Sequence, residues 1–432
     1  MKIMFNINLL RENPDLVKEN LRKRNQEEKV IWVDTISSSD KRWRELKQKA
    51  DRLRNQRNIL TEEIRKAKEK KKDVNSIIKE AKEIPQKIEQ IETEMEELRQ
   101  MIDSFLMRLP NMIHESVPKG KTAEDNKPIK FFLPKPKKSS FELRNHVDLL
   151  EKSGLANFDA GRDNSGQGFN YLTGEMAELD LSLQRYGVDY LIDKGFKLVG
   201  TPLLLNKKTL QGAVNFDDFR DVIYKLEGED LYLIATGEHS LVSLYKNCTF
   251  NKKDLPIKIC TVTPCFRKEI GGHGVDSKGI FRMHQFNKVE QVVICSPEDS
   301  YKYLEEMQGI TESFFKSLKI PFRVITICSG DLGPKMSKQY DIEAWFPREQ
   351  KYKEVTSAGN TTDYQSNKLN IKYINTDGEK KSVHMLNNTM VATSRAMVAI
   401  LENFQNKDGT ITVPKPLVPY IYNKKKIGGF KK

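Results

Sequence analysis

Cysteine is scarce and scattered. The chain has five, at Cys248, Cys260, Cys265, Cys295 and Cys328, and none forms a CxxC pair. An odd set argues against a complete disulfide framework, and its spacing with the histidines does not suit zinc. It fits a reducing, intracellular setting. Long apolar runs are missing too. No stretch approaches the roughly 18 residues of a membrane span. The opening MKIMFNINLLRENPDLV turns charged too early for a signal peptide, so a cytoplasmic protein with no membrane partner is expected. No glycine-rich loop of the Walker or dinucleotide type follows a strand-like run. No segment repeats. These absences exclude a membrane protein, a disulfide-stapled secreted module and a P-loop or Rossmann nucleotide site.

What is present is length and positive charge. A chain of 432 residues, 38% of them hydrophobic, is long enough for two domains with a sizeable core. Lys plus Arg number 73 against 60 Asp plus Glu, a net +13. That excess favours a polyanionic partner, nucleic acid or a membrane surface.

Residues 1–36 read as a cap with a short helix, Asn13-Pro14 supplying its N-cap and first turn. Residues 40–109 behave differently. Apolar positions recur every three and four residues from Trp43 to Ala67, with Arg57 in one core slot, and again from Ala81 to Leu109. A period of 3.5 held this long predicts a coiled coil. The polar KEKKKDVNS between the halves predicts an antiparallel hairpin with its turn near 69–76. Pro85 is expected to bend the second helix or delay its start. Residues 41–72 carry 14 basic and 5 acidic side chains, and residues 73–109 carry 5 and 9. Such a blade could be a solvated dimerising hairpin or could lie along a phosphate backbone.

Residues 111–140, rich in Pro and Lys, read as a linker or irregular crossing segment. Beyond them, helical stretches such as EMAELDLSLQRYGVDYLIDKG alternate with strand-like KICTVTPCF, KVEQVVIC and PFRVITICS. Turn-bounded strands of this kind predict an α+β domain over 141–432, built on an antiparallel β-sheet flanked by helices.

The stretch TVTPCFRKEIGGHGVDSKGIFRMHQFNKVEQVVI (261–294) carries most of the chemistry. It reads strand, glycine-rich loop, strand. Arg267 and Glu269 end the first strand. Arg282 opens the second, with Phe286 and Glu290 on one face. Gly271, Gly272, Gly274, Asp276 and Gly279 call for a special backbone path in the loop. Arginines clamp phosphates and an aromatic face stacks a base. The alternative is a surface hairpin with solvated charges.

Here FRKE followed by GIFRMHQFNKVE resembles motif 2 of class II aminoacyl-tRNA synthetases, in the form found in seryl-tRNA synthetases. GFKLVGTPLLL (195–205) resembles motif 1, with its proline at Pro202. MVATSRAMVAILENFQ (390–405) resembles motif 3, a strand and then a helix carrying Arg395. LIATGEHSL (233–241) is similar to the family's serine-binding element, and KEVTSAGNTTDYQ (353–365) to its metal and nucleotide element. The helical hairpin and the PLVPYI close also match. The pattern Asn387-Asn388-Thr389 stands where Asn-Gly-Ser is frequent, and TGE where many bacterial members have TAE. Both departures look like the archaeal or eukaryotic branch.

The resemblance implies an enzyme that activates L-serine with ATP and esterifies it to serine tRNA, with selenocysteine tRNA served likewise. It implies a tRNA-binding domain over 1–110, its arm over 40–109, and a homodimer built through motif 1. Arg267 is implied to hold the α-phosphate and the serine carboxylate, and Arg395 the γ-phosphate. Lys268, Glu269, Arg282, Phe286, Val355 and Thr356 are implied to line the ATP site, Phe286 against the adenine and Glu269 at its edge. Glu354 and Ser357 are implied to ligate Mg²⁺, whose hardness suits oxygen ligands. Thr236, Gly237 and Glu238 are implied around the serine amino group, and Glu290, Asn387 and Thr389 around its hydroxyl. No general base is needed for activation, because the serine carboxylate is already ionised. No spare segment for an editing domain is present. Two other readings stay open: a paralogue that passes seryl adenylate to a carrier protein, and a non-catalytic RNA-binding scaffold. His284 is expected to make a structural hydrogen bond rather than bind metal.

Overall fold

The computed structural model describes residues 5, 7–133, 139–214, 216, 220–269 and 279–430. The glycine-rich loop positions 271, 272, 274 and 276, singled out above, lie outside the described residues. The chain divides into two compact units, 1–110 and 111–432.

The first unit holds α1 (Ile7–Glu12), α2 (Pro14–Lys23), α3 (Val30–Glu69) and α4 (Asn75–Arg108). Asn13 caps α2 by accepting the Leu16 N–H at 3.2 Å, and Pro14 fills the first turn, where its missing N–H costs nothing. Helix α3 starts ahead of the 3.5-residue pattern. Its first turns bury Val33, Ile36 and Asp40, and Arg11 of α1 donates to both Asp40 oxygens at 2.7 and 2.8 Å. The α3–α4 seam follows the heptad positions: Leu46, Ala50 and Ile91 pack with Leu53, Met95 and Leu98, and further out Leu60 packs with Ile84 and Ile88. Arg42 meets Glu94 at 2.8 Å and Arg54 meets Glu92 at 2.5 Å, so the acidic second helix neutralises part of the basic first one. Pro85 lies inside α4, whose start is not delayed.

The second unit is built on an eight-stranded sheet. Its strands are β1 (Lys127–Phe132), β2 (Lys197–Leu198), β3 (Ile257–Phe266), β4 (Gln285–Cys295), β5 (Phe322–Thr326), β6 (Lys338–Phe346), β7 (Lys351–Asn360) and β8 (His384–Ala392). Their spatial order is β1-β5-β6-β7-β8-β4-β3-β2. Every neighbouring pair is antiparallel except β2 with β3. The stretch read as a linker therefore contributes the edge strand β1. Its Phe132 packs on Phe322 with ring centroids 5.3 Å apart, and its lysines and proline suit a strand with one open side. Ahead of it, the Asn111 amide donates to the Lys335 and Thr361 carbonyls at 3.0 and 2.7 Å.

Three helices cover one sheet face: α5 (Glu175–Asp193), α7 (Ser300–Ser317) and α8 (Thr393–Phe404). Leu179, Leu183, Phe314, Phe315 and Ile400 from these helices join Val289, Val293 and Leu386 from the strands in the main core. The period-two alternation of β4 sends Val289, Gln291 and Val293 toward this layer, where Gln291 donates to Thr311 at 2.9 Å. It sends Phe286, Lys288 and Glu290 to the opposite face. There a short helix, α6 (Gly237–Ser243), packs against β3 and β4.

Glu402, near the end of α8, is only 1% exposed, with Arg348 Nε at 3.6 Å. Burial pushes its carboxyl from 4.5 up to about 7, against the pull of Arg348. The folded protein thus holds a proton that the unfolded chain releases. Stability from this group is complete below about pH 4.5 and is lost as pH rises through about 7, roughly 3 kcal/mol in all. Urea unfolding at about pH 5 and pH 8 will show this loss, and Glu402→Gln will flatten it.

Candidate active site

On the face away from the helix layer, the strand ends enclose a cavity of about 270 Å³. Five sequence segments that are far apart in the chain supply its walls. From α6 and its cap come Thr236, Glu238 and His239. From β3, β4 and the turn between them come Arg267, Glu269, Phe281, Arg282, Met283, Phe286, Lys288 and Glu290. The β5–β6 connection supplies Lys335 and Met336. From β7, β8 and α8 come Glu354, Val355, Thr356, Ser357, Asn387, Thr389, Ala392, Ser394 and Arg395.

Local structure explains each placement. Thr236 is the N-cap of α6: its hydroxyl accepts the Glu238 N–H at 3.2 Å, which turns the chain so that both side chains face inward. Gly237 between them sits too close to the Thr261 and Thr263 side chains to carry a Cβ. Strand β8 alternates. Asn387 and Thr389 face the cavity, while Asn388 points the other way and donates to the Met307 carbonyl and Thr311 of α7, both at 3.0 Å. In β4, Phe286 sits one turn of the pleat outside Lys288 and Glu290. Where the loop returns to the described chain, Gly279 has φ +120°, and a Cβ there would run into the His146 ring.

The floor is ionic. Lys288 pairs with Glu290, and both are almost wholly buried. Lys335 pairs with Glu238, whose Oε1 also accepts from the Gln365 amide at 2.7 Å. Burial pushes the Glu290 carboxyl up, and Glu238's charge adds to this, while Lys288 opposes it. Burial also disfavours charge on Glu238, yet Lys335 and Gln365 hold it below the ordinary carboxylate range. His239 is pushed down to about 3 by burial, so it is neutral at physiological pH. Thr236 and Thr389 hydroxyls approach this network at 3.4 Å from Glu290 and 3.5 Å from Lys288. Among the described residues, the Asn387 Nδ2 and Thr356 Oγ1 atoms are buried without a hydrogen-bond partner, an arrangement that a bound polar ligand would relieve.

The mouth is cationic and aromatic. Arg267 donates to the Ala235 carbonyl at 3.1 Å and lies 5.3 Å from the Phe286 ring centre. Arg395 bonds the Glu354 carboxylate at 2.9 Å and lies 5.5 Å from the Phe281 ring. Glu354 and Ser357 lie on β7. Gln339 bridges Ser357 and the buried Asp341, donating to each at 3.0 Å. Burial, and then Glu354's charge, push the Asp341 carboxyl up.

Of the residues picked from sequence, all but two line this cavity. Gly237 lies behind its neighbours. Lys268 points away: its N–H donates to the Val222 carbonyl and its ammonium lies 5.8 Å from the Tyr224 ring. Sequence reasoning missed Lys288 and Lys335. Lys288 had a usable signal, since it sits two residues before Glu290 on the same strand face. Lys335 had none, being a loop lysine brought in from 97 residues beyond its partner. His284 makes the structural bond expected, through Nδ1 to the Tyr224 hydroxyl, and stacks on Phe169 at 5.1 Å.

Comparison with known proteins agrees with this geometry. Residues 4–113 match the model of the seryl-tRNA synthetase N-terminal domain, and residues 222–404 that of the class II tRNA synthetase core domain for G, H, P, S and T. The serine–tRNA ligase of Methanocella arvoryzae is 46% identical over 420 residues, 97% of this chain and 99% of that one. The Pyrococcus horikoshii ligase is 46% identical over 96% of each chain. A crystal structure of the P. horikoshii seryl-tRNA synthetase complexed with ATP superposes with a TM-score of 0.94, covering 99% of this chain and all of the other at 44% identity. The cytoplasmic serine–tRNA ligase of Naegleria fowleri in complex with AMP gives 0.89 at 34% identity, covering all of both chains. A helical hairpin, an antiparallel class II core and relatives matched from end to end place the chain in the seryl-tRNA synthetase family, as an ATP-dependent aminoacyl-tRNA ligase.

Proposed function

We propose that the cavity binds L-serine in its depth and ATP at its mouth, forms seryl adenylate, and passes serine to the terminal hydroxyl of serine tRNA. One observation carries the placement. A self-neutralised ionic floor with an orphaned amide adjoins a mouth lined by three arginines and two phenylalanines. A zwitterion with one hydroxyl suits the first, and a stacked base with phosphates suits the second.

In this reading the serine ammonium lies by Thr236 and Glu238, and its hydroxyl by Glu290, Asn387 and Thr389. A buried polar pocket of this kind rejects alanine, which leaves those groups unpaired, and rejects threonine for want of room. Arg267 draws the serine carboxylate and the α-phosphate together. The carboxylate oxygen bonds to the α-phosphorus as the bond to the pyrophosphate oxygen breaks. Arg267 and Arg395 carry fixed positive charge where the negative charge builds up. Phe286 offers its face to the adenine, with Glu269 and Arg282 at the nucleotide. Transfer then follows: the tRNA hydroxyl oxygen bonds to the acyl carbon and AMP leaves.

A Mg²⁺ fits beside Glu354 and Ser357. Both offer hard oxygen donors, and Gln339 ties Ser357 to the buried Asp341 behind them. Among the described residues no three His, Cys, Asp or Glu side chains gather as a metal cage, which suits an ion that takes its remaining ligands from phosphates. When bound it would screen the phosphate charges.

The exposed basic side chains of α3 are read as the contact to serine tRNA, and to selenocysteine tRNA, through backbone shape and phosphates. Leu181 and Ile192 on α5 and Leu198 on β2, 64%, 45% and 45% exposed, support a homodimer formed through the motif 1 region. Among the described residues no helix is long and apolar enough to cross a membrane.

Serine-dependent ATP–pyrophosphate exchange tests activation. Arg267→Ala is expected to lower its kcat/KM by on the order of 10²–10³. A triple change of Lys49, Arg52 and Arg57 to Glu is expected to leave exchange intact and to raise the KM for tRNA in serine transfer at least about tenfold, with a shallower salt dependence. Exchange with no transfer to tRNA in the unaltered protein would favour the carrier reading instead.

A further inference from the structure

Glu238 presents a conflict. It is the carboxylate read above as the receiver of the serine ammonium, yet Lys335 already holds it. Two ammonium groups on one buried carboxylate repel each other at short range, where water cannot screen them. One of them has to give way or bind weakly.

We propose that Lys335 is a placeholder cation. Its ammonium neutralises Glu238 while the cavity is empty, then yields that carboxylate to the substrate ammonium and withdraws toward the cavity wall. The inference rests on Glu238 reading the serine ammonium and deepens that reading. Lys335 acts through Glu238 and is a positioning residue.

The backbone around Lys335 is pinned. The Asn111 N–H donates to the Pro334 carbonyl at 2.7 Å, the Asn111 amide to the Lys335 carbonyl at 3.0 Å, and the Ser337 N–H to the Asn360 carbonyl at 2.8 Å. Movement is therefore left to the side chain. Its four methylenes rotate cheaply, and its side chain is 15% exposed against 6% for Glu238, so it reaches from the cavity wall rather than from the core. Charge is conserved in the exchange. The empty floor holds two carboxylates and two lysines, and serine adds one charge of each sign. Without Lys335 a lone carboxylate would be buried in an empty cavity, which is strongly unfavourable unless it takes up a proton. With Lys335 the empty protein is stable, and substrate affinity is reduced by the fraction of molecules in which the carboxylate is available.

The neighbours of Glu238 define the pH test. Lys335 and Gln365 bond it directly, His239 follows it on α6, and Glu290 with Lys288 faces it from β4; Arg267 stands at the rim. His239, held at about 3, stays neutral across the working range. Lys335 lowers the Glu290 carboxyl as well, so its removal moves both carboxyls upward and both effects shrink the gain at low pH.

The experiment is ATP–pyrophosphate exchange by the full chain with Lys335→Met, which keeps the stem and removes the charge, beside Lys335→Arg. At about pH 8.5 the Met variant is expected to show a KM for serine about tenfold below wild type with the KM for ATP unchanged. That advantage should shrink as pH falls, because burial raises the Glu238 carboxyl once the lysine that opposes it is gone; Arg should stay within about twofold of wild type. A serine KM above wild type at pH 8.5, or equal shifts in the KM for serine and ATP, would overturn the proposal. A crystal structure of the unaltered protein with L-serine and a non-hydrolysable ATP analogue decides it independently of how the variant folds: Lys335 still on Glu238 with serine bound sinks it. Failure of wild-type exchange with serine would instead sink the reading of the site itself.

Discussion

Two lysine–glutamate pairs in the cavity floor set the terms for everything around them. A carboxylate removed from water is tolerated only with a partner and hydrogen bonds. Lys288 and Glu290 meet that demand from one strand face, two residues apart. Lys335 and Glu238 meet it from a loop and a helix start that only the completed fold brings together. The cap at Thr236, the backbone clamp by Asn111 and the amide of Gln365 all serve to keep these charges where they compensate each other.

The opposite sheet face supplies the stiffness. Asn388 and Gln291 anchor β8 and β4 to the same Thr311 of α7, so the strands that carry Asn387, Thr389 and Glu290 cannot drift independently. Sites held to within fractions of an ångström need such support behind the groups that touch ligand. The apolar layer of Phe314, Phe315 and Leu179 thus stiffens the cavity wall as well as stabilising the fold.

Much of this was legible in the sequence, and for definite reasons. The hairpin announced itself because Leu46, Ala50, Leu53 and Leu60 keep the spacing that a helix pair requires. Strands β3, β4 and β5 were visible as β-branched runs, and Asn13-Pro14 as a helix start. The cavity lining followed from the resemblance more than from physics, since Arg267, Glu354 and Arg395 are unremarkable one at a time. The sequence misled at β1, where proline and lysine describe an edge strand as well as a linker. It was silent about Lys335, because a loop residue carries no periodicity and its partner is fixed by tertiary contact. Lys268 was misplaced by adjacency: alternation past the end of β3 turns it toward Tyr224.

The proline at position 85 gives the hairpin an uneven mechanical character. It removes one rung of the hydrogen-bond ladder about three turns from the tip of α4, beside the buried Ile84 and Leu60, beyond which Ile77 and Ala81 are only partly buried. Below it the two helices are laced by charged and apolar contacts; above it few remain. The arm therefore resembles a rod with a compliant end. A rod of that kind can hold its bearing while its last turns adjust to the contour of whatever surface it meets.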